Sequence, residues 1–445
     1  VSGDNRVLHT VELILALLVV AVILGILANW LKIPYPILLV IGGVLLGLQP
    51  DLPPIPLDPQ LVFLLFLPPL LYAGGFRTPW EDFRQNLRSI SMLAVGLVLF
   101  TTVAVAAVAH CFMGLPWAAG FVLGAIVSPP DAVAAIAVTQ RLRVPKLITT
   151  ILEGESLVND ASALVILRLA IATLGASTFS LGDAAIQFVV VSLGGMAIGW
   201  VGALIVMRLH IWLQRTKLAD NKLQITISLL TPYAVYLPAE QLEVSGVLAV
   251  VTAGLWVGNR AEQVFTCEFF EEATAVWEWI EFLLNSFIFI LLGFALRSIL
   301  DNLDDQHTFG EILIYAAVIA GVVIVTRLLW MFPGAYLPRW IDENLFGKPT
   351  QYPRWQGVCV VGWTGMRGVV SLAAALALPQ TLPDGQLFPG RSLIQFLTFA
   401  VIFTTLVGQG LTLPLVIRGL GVENEVEEKK PEVEVAAENG YPDAC

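Results

Sequence analysis

Ile151-Leu-Glu-Gly-Glu-Ser-Leu-Val-Asn-Asp160 sets three acids, a serine and an asparagine within ten residues of a largely apolar stretch. On a helix, Ser156 and Asp160 are i,i+4 neighbours, and Glu153 lies seven residues before Asp160 on the same stripe. Glu155 and Asn159 form the adjacent i,i+4 pair. One face therefore offers a hydroxyl and a carboxylate. Hard cations take such oxygen ligands, whereas a transition-metal site would ask for His or Cys, and neither is near. A charge at mid-bilayer costs at least about 2.5–3.5 kcal/mol on insertion scales, so each one in a membrane span asks for a reason.

That the stretch is a membrane span follows from the rest of the chain. Its 445 residues are 57% hydrophobic and only 13% charged, against about 25% charged for an ordinary soluble domain. Apolar runs read against Pro, Gly and charge give thirteen spans of roughly 20 residues. They centre near Leu18, Leu39, Phe66, Val98, Ala125, Ala161, Leu193, Leu230, Val250, Phe289, Val322, Gly368 and Phe403. The second, third, eighth and ninth are short or proline-broken. Leu13–Leu31 reads as the first span; it is too long, and lacks the basic front, of a cleavable leader.

Positive charge tests the count. With thirteen spans, eighteen of the Lys and Arg residues fall on one side, three (Arg6, Arg297 and Arg391) on the other, and Arg168, Arg327 and Arg367 inside spans. A missed helix would scramble this asymmetry, which puts the N-terminus outside and the C-terminal tail in the cytoplasm of a bacterial inner membrane. Net charge is −11, and the acidic tail 422–445 supplies −6 of it; the balance argues against a nucleic-acid partner. Cys111, Cys267, Cys359 and Cys445 are scattered and form no motif.

Two spans carry signs of a break. Span five contains Ser128-Pro129-Pro130-Asp131, whose prolines remove two backbone donors. Span twelve contains Gly362-Trp-Thr364-Gly365-Met-Arg367-Gly368, rich in poor helix formers. Inside a bilayer such breaks survive against protein or a water-filled cavity, and they mark the ion sites of secondary transporters. A simple kink is the plainer reading of Pro-Pro alone, but Asp131 directly after it favours function. The breaks lie seven crossings apart, an odd offset that makes spans one to six and eight to thirteen inverted repeats around a connecting span seven. The expectation is an all-α polytopic membrane protein.

Leu67-Pro-Pro-Leu-Leu-Tyr72, Ser128-Pro-Pro-Asp131-Ala-Val, Gly154-Glu-Ser-Leu-Val-Asn-Asp160 and Gly365-Met-Arg-Gly-Val-Val-Ser371 together resemble the monovalent cation/proton antiporters of the NhaP/NHE type. The resemblance implies an NhaA-like antiporter fold and a homodimer of thirteen-helix protomers. Helices one to three (11–75) and the connector and helices seven to ten (184–297) form its scaffold. Helices four to six (89–176) and eleven to thirteen (311–418) form its core. It also implies Asp160 as the ion- and proton-binding carboxylate, with Asp131 and Ser156 beside it around Na⁺. Ser128, Pro129, Pro130, Asn159, Thr364 and Gly365 shape the site. Glu155 becomes a structural acid paired with Arg327, with Arg367 the second choice of partner. Asn159 matches members described as electroneutral. One departure is Ala73, where many members carry an acid.

The resulting expectation is a Na⁺/H⁺ antiporter serving pH homeostasis, with Li⁺ or K⁺ as other cargoes and a K⁺-preferring antiporter as the alternative. It needs only the bilayer, monovalent cations and protons, and no cofactor. An intramembrane hydrolase lacks HExxH and any Ser–His pairing, and a cation channel would expose rings of carbonyls or acids. Four further expectations concern position. Arg168 snorkels to the interface, His110 is interfacial, and Asn259–Glu281, with six Glu and one Arg, reads first as a solvated connector and second as a surface helix or pH-sensing loop. Asp131 accepts backbone donors at the start of the second half-helix.

Overall fold

The computed structural model describes residues 2–49, 63–139, 144–174, 181–216, 220–303, 308–347, 352–382 and 385–422. The acidic tail beyond residue 422, and Arg141, Arg143, Lys217, Lys348, Lys429 and Lys430 of the charge count, lie outside them. So do the side chains of Arg6 and Lys146.

The described chain is helical apart from one isolated bridge, Thr381 to Leu387. In order, the helices are α1 Ser2–Leu31, α2 Tyr35–Gly47, α3 Leu67–Arg77 and α4 Leu87–Met113. Two short helices follow, α5a Trp117–Val127 and α5b Ala132–Thr139, and then α6 Lys146–Leu174 and α7 Leu181–Arg215. Next come α8 Asn221–Gln241, α9 Gly246–Val264, α10 Cys267–Asp301 and α11 Phe309–Phe346. A second split pair, α12a Trp355–Trp363 and α12b Val369–Leu376, precedes α13 Arg391–Leu420. Among the described residues, seven helices are long and apolar enough to cross a membrane: α4, α5a with α5b, α6, α7, α10, α11 and α13.

Prolines act differently at each place. Phe63–Leu65 is already helical, the chain turns at Phe66, and Pro68 and Pro69 open α3, where a missing N–H goes unfelt, so the third span is interrupted beside its prolines. Pro232 and Pro238 sit inside a continuous 21-residue α8, so the eighth span is not proline-broken. The acidic stretch ending at Glu281 is also not a connector: apart from a short interruption at Phe265 and Thr266, it is the end of α9 and the first turns of α10.

Helix pairs close through small residues. Gly43 and Gly47 of α2 face Gly293 and Phe294 of α10. Gly75 of α3 faces Val251 and Gly254 of α9 in the same way, and Gly195 and Gly199 of α7 face Ser245 and Ala249. In lipid there is little hydrophobic drive between helices, so contact of this kind carries the association. One hydrophobic cluster joins α3, α7, α8 and α9, and a larger one joins α2, α5a, α10, α12b and α13.

Candidate ion-binding site

The two unwound segments meet in the interior. Between α5a and α5b, the Asp131 backbone N–H donates to the Met366 carbonyl of the α12 interruption at 2.7 Å. Ser128 donates its hydroxyl back to Ala125 at 3.1 Å. Asp131 caps the first turn of α5b, its Oδ1 accepting from the Val133 N–H at 2.9 Å. The polar face of α6 supplies the remaining partners. Asn159 Nδ2 donates to the Pro130 carbonyl at 2.9 Å, and the Ala132 N–H donates to Ser156 Oγ at 3.4 Å. The break thus exposes the Pro130 carbonyl, which a side chain of α6 reaches.

Asp160 follows Asn159 on α6 and is buried, 7% exposed. Among the described residues no hydrogen bond or ion pair reaches its carboxylate, while Asp131 lies near enough for the two charges to interact. A buried carboxylate without a cationic partner asks for a proton or a cation.

Glu155 has a different environment. Arg327 of α11 grips it at both ends, Nη1 to Oε1 at 2.5 Å and Nη2 to Oε2 at 3.0 Å, with Nη2 also donating to the Val361 carbonyl at 3.1 Å. Each side chain is 1% exposed. Arg367, the second choice of partner for Glu155, is engaged elsewhere. Its Nε donates to the Val127 carbonyl at 3.0 Å and its Nη2 to that of Ser128 at 3.3 Å, so it satisfies the end of α5a. Its third contact is the Gly365 carbonyl, and its own N–H is held by Thr405 Oγ1 of α13 at 3.1 Å. Thr364 turns back onto Val361 at 2.8 Å. Gly365 lies between the two guanidiniums, where a Cβ would come within 2.8 Å of both Arg327 Nε and Arg367 Nη1. Only glycine fits there.

The structure therefore brings Asp131, Asp160, Ser156, Ser128, Pro129, Pro130 and Asn159 to one break, and Thr364, Gly365, Arg327, Arg367 and Glu155 to the other. Three carboxylates stand against two guanidiniums. Thr405, which no motif in the sequence singles out, sits on a wide π-turn of α13, Thr404–Gln409. Two hydroxyls and a glutamine in an apolar span were the available signal. Glu281, the last residue of the acidic stretch, accepts from Arg77 at 2.6 Å. Ala73 is buried beside the cavity that Glu281 lines. Arg168 does not simply snorkel, since it pairs with Glu240 at 2.7 Å. His110 stacks on Trp117, ring centroids 4.5 Å apart, with its Nδ1 2.8 Å from the Leu115 carbonyl.

The sequence profile described as "Sodium/hydrogen exchanger, transmembrane" matches residues 16–419. The chain belongs to the sodium/hydrogen exchanger family. A relative from Mycobacterium tuberculosis strain H37Rv, named an uncharacterized Na⁺/H⁺ exchanger, is 35% identical over 428 residues, covering 95% of this chain and 77% of its own. A sodium, potassium, lithium and rubidium/H⁺ antiporter of Bacillus subtilis is 34% identical over 411 residues, covering 90% of this chain and 60% of its own. Among solved structures, the sodium proton antiporter MjNhaP1 from Methanocaldococcus jannaschii has the same fold, with a TM-score of 0.68 at 20% identity, over 93% of this chain and 99% of that one. This member of the exchanger family is accordingly a multi-pass membrane transporter of the antiporter kind and not an enzyme.

Proposed function

We propose that this exchanger swaps one monovalent cation, Na⁺ first and Li⁺ or K⁺ after it, for one proton, at a site built on Asp160, Asp131 and Ser156. The observation that carries the reading is the charge of the cluster around the two breaks. Among the residues the two breaks bring together, Glu155, Asp131 and Asp160 against Arg327 and Arg367 leave one negative charge uncompensated; half-buried Glu153, earlier on α6, has interactions of its own and stands outside this set. One proton or one cation brings the interior to neutrality; both together, or neither, leave a net charge where charge is costly.

Coupling then needs no further device. Proton and cation compete for Asp160, the loaded neutral site moves between openings, and the empty charged site is held back by the cost of desolvation. Glu155, neutralised by Arg327, and Asp131, which caps α5b, hold their charges through the cycle. We place the scaffold in α1–α3 and α7–α10 and the moving core in α4–α6 and α11–α13. The protomer makes thirteen crossings in two inverted repeats, with the N-terminus outside, the tail cytoplasmic, and a homodimer as the assembly. The cargoes named for the Bacillus relative support this range of alkali cations.

Purified protein in proteoliposomes under an imposed pH gradient tests the reading. Na⁺ should drive proton movement, with Li⁺ and K⁺ ranked alongside it. Asp160→Asn should abolish exchange in a protein that still inserts and runs as a single species. Cation-dependent proton movement retained by that variant would remove Asp160 from the role.

A further inference from the structure

Helix α10 carries a carboxylate that the exchange site leaves unused. Glu281 Oε2 accepts from Arg77 Nη2 at 2.6 Å, and the arginine side chain is 49% exposed against 16% for the acid. The other oxygen, Oε1, is buried and has no hydrogen-bond partner. Glu281 lines a cavity of about 30 Å³ together with Arg77 itself, Tyr72, Ser228, Trp277 and His210. His210 is 1% exposed, and its Nδ1 is likewise without a partner. A simple salt bridge accounts for Oε2 alone.

The lining defines the class of ligand. Leaving a buried polar atom unbonded costs about 1–3 kcal/mol, and two residues of this lining each carry one such atom. An apolar occupant would leave both unmet, and an anion would meet the carboxylate. Tyr72 and Trp277, which pack on each other with ring centroids 5.6 Å apart, add aromatic rings to the lining, and aromatic rings attract cations. The volume suits one small dehydrated cation or one to two waters. The cavity also has a link to the exchange site. Tyr35 packs on Phe282 with ring centroids 5.9 Å apart, and it lies within electrostatic reach of both Glu281 and Asp131.

We propose that Glu281, with His210 and the Tyr72–Trp277 ring pair, is a second station for the transported monovalent cation, on the cytoplasmic approach to Asp131 and Asp160. The inference rests on the exchange reading and its orientation. Arg77 tunes the station by covering one carboxylate oxygen, and the other is left for cargo.

Everted membrane vesicles, which turn the cytoplasmic face outward, test it through initial rates of Na⁺-dependent proton movement. Glu281→Gln should raise the Na⁺ KM about tenfold with Vmax within about twofold, because the station concentrates cargo and takes no part in the exchange itself. Glu281→Asp should return most of that loss, which a purely structural role would not predict. Arg77→Gln, which uncovers the acid, should lower the KM. An unchanged KM in Glu281→Gln, or a fall in Vmax alone, overturns the proposal. If Glu281→Gln fails to accumulate, Arg77→Gln decides, and an unchanged or raised KM there overturns it. These outcomes are separate from the Asp160→Asn test, which can stand while the second station falls.

Discussion

Breaking the Glu155–Arg327 pair from each side, and then from both, measures what the pair does. The two side chains are fully enclosed and bound at both ends, so Glu155→Gln strands a guanidinium without a counter-charge, left with neutral acceptors such as the Val361 carbonyl. Stranding either partner of a buried pair costs about 3–5 kcal/mol. The double variant strands no charge. It leaves the Val361 carbonyl without its donor, about 1–3 kcal/mol. Additive singles would sum to about 6–10 kcal/mol, so the cycle should return a coupling of at least about 3 kcal/mol. Unfolding free energies from denaturant titration in detergent micelles, followed by tryptophan fluorescence, give the four corners. The matching cycle with Arg367→Gln should return a smaller coupling, because that guanidinium lies on the Val127 and Ser128 carbonyls. A double variant as unstable as the sum of its singles would refute the pairing argument, and a larger coupling to Arg367 would move the assignment there.

Exchange should be electroneutral, so an imposed potential of either sign should leave the Na⁺/H⁺ exchange rate in proteoliposomes unchanged; net Na⁺ movement driven by potential alone would contradict the single-charge reading. Because proton and cation compete for one carboxylate, the apparent Na⁺ KM should rise as pH falls while Vmax at saturating Na⁺ holds; a Vmax that falls at constant KM would mean separate sites. Gly254→Ala should destabilise by about 1–3 kcal/mol, since its Cβ would lie 2.7 Å from the Tyr72 carbonyl oxygen. Gly310→Ala, with nothing within 4 Å, should not; equal thermal stability in both variants would discount the packing of α3 on α9.

The helical membrane fold was legible because length and apolarity are local quantities: α4, α7 and α11 announce themselves in any window. So were the unwound segments, since Pro129 with Pro130, and Gly362 with Gly365, act on their own backbone. Less legible was what proline does in context. Pro68 and Pro69 do mark an interruption, but the turn falls just before them, at Phe66, and they open the helix that follows. Pro232 sits in an unbroken helix that its neighbours support. The ends of α10 and α11 were hidden too, because their polar turns resemble connectors by composition. α11 runs 38 residues, about 57 Å at 1.5 Å per residue, well past a hydrocarbon layer of about 30 Å. At the site, the roles of residues on α6 were readable from helical spacing. Partners supplied from far along the chain, such as Thr405 for the Arg367 N–H, were not, because only the tertiary fold sets them.

The hold of Arg367 on the end of α5a has a consequence for biogenesis. The carbonyls of Val127 and Ser128 are met by a residue about 240 positions later. The Asp131 N–H likewise waits for the Met366 carbonyl. When the ribosome has threaded only the first half into the membrane, α6 can meet the Pro130 carbonyl and the Ala132 N–H, but the Val127 and Ser128 carbonyls and the Asp131 N–H still lack the partners they have in the finished fold. Those groups must be sheltered by water, lipid headgroups or the insertion machinery until the second half arrives. The first half is therefore not a self-sufficient module, and quality control acting on nascent chains would find its weakest point at Ser128–Asp131.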